Sequence, residues 1–101
     1  MTEPKPPKHL TAEAKKFWRR VSSEYELTPD AELILQVAAE NWDRAQQARV
    51  EVSRDGLTAD GRRHPAIDIE KQAYGLFLRA MRQLGLDIDP PRPGAGRPEG
   101  S

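Results

Sequence analysis

The feature that most restricts this chain is one long apolar repeat opened by Thr28-Pro29-Asp30. A threonine hydroxyl can accept a hydrogen bond from the first unpaired N–H groups of a helix. Proline already has the φ of the first helical residue, and an aspartate complements the positive helix end. From that start Ala31, Leu35, Ala38, Trp42, Ala45 and Val52 recur at alternating four- and three-residue steps, with Arg49 as the break. The spacing predicts a helix from Pro29 to about Ser53, some 25 residues and about 37 Å long. Its first half adds Leu33, Ile34 and Val37 around most of the circumference and has to be enclosed. The second half is apolar only along the narrow seam containing Trp42, and is expected to extend beyond the core of one subunit.

The stretch from Arg54 to Pro65 is polar, with Gly56 and Gly61 placed for tight turns and a short hairpin as one outcome. A third helix is expected from Ala66 to Leu84, with Gly85 as its terminator. Ala66, Ile69, Ala73, Leu76, Phe77, Ala80 and Leu84 form one stripe of it, and Ile67, Tyr74, Leu78 and Met81 an adjoining one. Together the stripes cover roughly 200° of the helix, more than one neighbour in a thin subunit covers, so contact with another subunit is expected. Trp42, Leu78 and Met81 are the interface candidates.

Ahead of the long helix, Thr11 can cap a shorter one from Ala12 to Tyr25. Ala14, Phe17, Trp18, Val21 and Tyr25 fall on one side of it, with Lys15, Lys16, Arg19 and Arg20 on the other. Pro4, Pro6 and Pro7 among lysines mark an extended, mobile arm. Asp87 to Ser101 is rich in Pro, Gly and Arg and reads as a flexible tail. The chain thus divides into an arm (1–10), an all-α domain of three principal helices built on a long hairpin (11–86), and a tail (87–101). With 101 residues, 37% of them hydrophobic and 32% charged, the core is small, and assembly with other copies would help it.

Function is bounded first by what is missing. The chain has no cysteine, which excludes disulfides, thiolate metal sites and cysteine nucleophiles. No apolar run reaches membrane-spanning length and the first ten residues lack a signal-peptide core, so a cytoplasmic location is expected. His9 and His64 lie in a proline-rich arm and a loop without ligand spacing. Neither a Walker-type loop nor a Gly-x-Gly-x-x-Gly motif is present. No catalytic residue, metal or cofactor is therefore assigned.

What remains is the placement of charge. Sixteen basic and sixteen acidic residues cancel, yet Met1 to Tyr25 holds six Lys/Arg against three Glu, and Glu26 to Arg54 three Arg against six acids. Any affinity for nucleic acid must come from such local clustering. The face bearing Lys15, Lys16, Arg19 and Arg20 is single-signed apart from Glu13 and Glu24 near its ends, which makes it the main candidate for phosphate contact. Arg62 and Arg63, beside His64 in the loop, form a second cluster. His64-Pro65 itself reads as structural, since the residue before proline is held extended and proline then opens the third helix. Phe17, Trp18 and Trp42 sit at core spacing on amphipathic helices, so packing is preferred for them over base stacking.

The order of these landmarks resembles the compact type of phage terminase small subunit: Leu10, a helix with Ala14 and Trp18, the long helix across Asp30 to Ala45, Gly56 and Gly61 in the turn, His64-Pro65, and Leu84-Gly85-Leu86. The resemblance spans roughly Leu10 to Pro91. It implies a ring-forming, non-enzymatic homo-oligomer in the host bacterial cytoplasm that binds double-stranded viral DNA for packaging. Such a protein regulates a terminase large subunit, which supplies the ATPase and nuclease. The chain is short after its third helix, where members of that family often carry further segments. Two other readings fit the composition, a helix-turn-helix transcription regulator and a helical protein–protein interaction module. The first needs a short recognition helix, and the Thr28 to Ser53 stretch is too long and too acidic for a major groove. The second rests on the balanced charge.

Overall fold

A computed structural model describes residues 5–85. It is all-α apart from one small ribbon, in the order α1 (Ala12–Glu24), α2 (Pro29–Asp55), β1 (Thr58–Ala59), β2 (Arg62–Arg63) and α3 (Pro65–Leu84). Each helix starts where a side chain can cap it. The Thr11 hydroxyl accepts from the Ala14 N–H at 3.3 Å and that of Thr28 from the Ala31 N–H at 3.1 Å. The His64 ring Nδ1 accepts from the Ala66 N–H at 3.0 Å. α3 ends at Gly85, whose N–H still bonds back to the Met81 and Arg82 carbonyls and whose φ of 63° then breaks the helical path.

α2 and α3 form an antiparallel hairpin closed by the β1–β2 ribbon, which pairs Thr58 with Arg63 and Ala59 with Arg62. Asp60 and Gly61 turn that ribbon with φ of 54° and 75°. Positive φ at both central residues suits the right-handed twist of a two-residue hairpin, and Asp-Gly tolerates it. At the base of the hairpin α1 packs through Ala14, Phe17, Trp18 and Val21 onto Leu35, Ala38, Ala39, Trp42, Phe77 and Ala80. The Phe17 and Phe77 rings meet edge to face with centroids 6.2 Å apart. Past this base the stem is lined by alanines, with Ala45, Ala48, Ala66 and Ala73 all buried.

Two expectations about α2 change. Trp42 is not an interface residue: it is 3% exposed and belongs to the subunit's own core, because α1 and α3 together cover its side of α2. The second half of α2 does run past the main core, whose last α2 member is Trp42, with Ala45 and Ala48 buried in the stem that it forms with α3. Conversely Leu33 and Val37, expected to be enclosed, are 64% and 46% exposed, because α1 covers only one flank of the first half of α2. The end of the arm is also tied down. Leu10 is buried in the core, and His9 Nε2 lies 2.8 Å from Glu40 Oε2. The tail from Asp87 to Ser101 and the first four residues of the arm lie outside the described residues.

Candidate nucleic-acid interface

The orientation of α1 decides what its charged face can meet. One carboxylate of α2 sets it: Asp43 Oδ2 accepts the Thr11 N–H at 2.9 Å, and Oδ1 accepts the Thr11 hydroxyl. A negative charge thus sits at the positive end of α1 and satisfies a donor that the helix leaves unpaired. Glu40, one turn earlier, takes His9 and the Gln36 side-chain amide, the latter at 3.0 Å. The pattern of the sequence did not single out Asp43 or Glu40. Their signal was present, since both lie on the polar flank of a helix whose opposite side is apolar, but their partners are some 30 residues away.

With the aromatic side of α1 fixed in the core, its other side faces away. Lys16, Arg19 and Arg20 are exposed and Lys15 is half-buried. Arg20 Nε lies 3.9 Å from Glu24 Oε2, an exposed i,i+4 pair that leaves most of the guanidinium available. Lys15, Lys16 and Arg19 have no ion-pair partner among the described residues. Three positive charges are therefore held on one helix face without an ion pair to any of the described residues.

Arg62 and Arg63 on β2 are both exposed, and Arg63 donates to Asp68 Oδ1 at 3.1 Å. His64 leaves this cluster: it is buried, caps α3 through Nδ1 and lies 3.0 Å from Asp55 Oδ2 through Nε2. The two basic groups are not brought together. The N-terminus of α1 meets α2 at Asp43, whereas the ribbon begins beyond Asp55, a further 12 residues along α2 or about 18 Å.

Of the remaining interface candidates, Leu78 is 43% exposed and Met81 is half-buried against the core. Tyr74, 41% exposed, adjoins them one turn before Leu78. Among the described residues no group of three or more His, Asp or Glu side chains could hold a metal ion, and no helix is long and apolar enough to cross a membrane. Comparison with protein-family models, curated proteins and solved structures finds no match.

Proposed function

We propose that this chain is the small subunit of a viral DNA-packaging terminase, acting in the host bacterial cytoplasm. In this reading a homo-oligomer, most simply a ring, holds double-stranded viral DNA and regulates the large subunit that carries the ATPase and nuclease. The chain itself contributes no catalytic group. The observation that carries the DNA reading is the uncompensated face of α1, where Lys15, Lys16 and Arg19 lack ion-pair partners among the described residues. Support for assembly comes from Leu33, Val37, Tyr74 and Leu78, each more than two-fifths exposed on the outside of the hairpin.

The two halves of the proposal depend on each other. At a log–log salt slope of about −0.9 per neutralised phosphate, three contacts lose only about 40-fold in affinity between 50 and 200 mM salt, whereas six to ten lose roughly 10³ to 10⁵. Binding strong enough to select one DNA therefore needs several subunits on one duplex. The test is a salt titration of duplex binding for the parent and for a variant with Lys15, Lys16, Arg19 and Arg20 all changed to Gln. Weaker binding and a shallower slope, with helicity and assembly retained, are expected. Equal affinity and slope for the two proteins would mean that the face is merely solvated.

A further inference from the structure

α3 buries Ala73, Phe77 and Ala80 against the rest of the subunit. At about 100° per residue, the opposite side of the helix carries Lys71, Gly75, Arg79 and Arg82, with Gln72 and Gln83 along one edge. All six are exposed. Leu78 lies at the other margin.

Two independent features mark this strip. The first is charge. Lys71, Arg79 and Arg82 have no ion-pair partner among the described residues, and Asp68, the acid on the same side, is engaged by Arg63. Eleven residues separate Lys71 from Arg82, so three unopposed cations lie within about 16 Å along the helix. The second is Gly75. Glycine inside a helix is less favourable than alanine, because its backbone loses more freedom on folding. Among the described residues nothing requires it: Gly75 does not have positive φ, and a Cβ placed on it would meet no described atom within 4 Å. Its effect is to leave bare helix backbone at the centre of the cations, with Lys71 and Arg79 one turn to either side and Arg82 two turns on.

We infer that this strip is a second contact surface for duplex DNA. The sugar–phosphate backbone seats on α3 at Gly75, and Lys71, Arg79 and Arg82 meet the phosphates around it. Gln72 and Gln83 supply neutral donors at the edge. A polyanion suits the strip better than a protein partner, since its centre offers positive charge and no apolar side chain. The inference rests on the DNA reading of α1 and adds a surface on a different helix.

The test uses the full chain and a fluorescent 30-base-pair duplex, with binding measured from 50 to 200 mM salt. The variants are Lys71→Gln/Arg79→Gln/Arg82→Gln and Gly75→Leu, beside the α1 quadruple variant. The triple variant is expected to lose affinity, with a slope shallower by about 2.7 for each subunit engaged, three contacts at about 0.9 each. Gly75→Leu is expected to melt at a higher temperature yet bind at least tenfold more weakly. If the parent binds no duplex, the DNA reading and this inference fall together. If the α1 variant loses binding while the triple variant keeps the parent's affinity and slope, the inference alone is wrong. Unchanged binding by Gly75→Leu would overturn the seat at Gly75, and a smaller assembly for Gly75→Leu in sedimentation would show that a second copy, not DNA, occupies the strip.

Discussion

Asp43 accepts the backbone N–H of Thr11 at 2.9 Å, across 32 residues of sequence, and so fastens the start of α1 to the middle of α2. The same carboxylate accepts the hydroxyl that caps α1. Replacing Asp43 with Ala removes two charge-assisted bonds at a solvent-exposed site, and a loss of about 1–2 kcal/mol is expected in urea unfolding. Asp43→Asn, which keeps an acceptor, is expected to lose less. Equal stability of the alanine variant and the parent would show that the clamp contributes nothing.

A second carboxylate closes the far end of the hairpin. Asp55 is held down to about 2 from its ordinary 3.8 by the Arg54 guanidinium, which donates to it at 2.9 Å, and next by His64 at 3.0 Å. A depressed carboxylate stabilises the fold above its unfolded pKa, and that stability disappears as pH falls through the folded value. The difference in melting temperature between the parent and Asp55→Asn should therefore be constant from neutral pH down to about 4 and then shrink toward pH 2. A difference that stays constant to pH 2 would remove Asp55 from the account.

Trp18 offers a third test. Its indole N–H is buried with no hydrogen-bond partner among the described residues. Trp18→Phe relieves that unpaired donor while giving up some volume, so a net change within about 1 kcal/mol is expected, against about 3–5 kcal/mol for Trp18→Ala. Similar losses for both variants would mean that the N–H is satisfied in solution.

Assembly can be separated from folding with two residues. Leu78→Glu leaves the core intact and places a charge on the exposed flank of α3, so sedimentation is expected to show a shift toward the 11.4 kDa monomer at unchanged helicity. Trp42→Ala should instead cost about 3–5 kcal/mol and melt the helices. A parent that is already monomeric at micromolar concentration would refute the argument from exposed apolar surface.

The helices were legible because their ends carry local signals: Thr11, Thr28-Pro29, His64-Pro65 and Gly85 each act within one turn of themselves. Burial along α2 was less legible, because it depends on which helix lies alongside. Ala39 sits one turn before Asp43, on the flank that meets α1. Beyond Asp43 α3 is the helix that accompanies α2, so the buried line swings to Ala45 and Ala48 and leaves Arg49 outside. Trp42 lies in the subunit's own core for the same reason, since a narrow apolar seam does not say whose side chains will cover it. The basic face of α1 followed from spacing alone. The strip around Gly75 did not, because a glycine in a helix becomes informative only once the space around it is known.

The lining of the hairpin has a mechanical consequence. Around Trp18, Trp42, Phe17 and Phe77 each turn removes large rings from water, whereas the fully buried side chains of the distal stem are Ala45, Ala48, Ala66 and Ala73, with Val52, Ile67 and Ile69 only half-buried, so less area is buried per turn. The subunit is thus a graded zipper, with its teeth largest at the base and smallest beside the ribbon. Under heat or load it parts from the His64–Asp55 end first, and amide hydrogens near Ala66 should exchange well before those flanking Phe77.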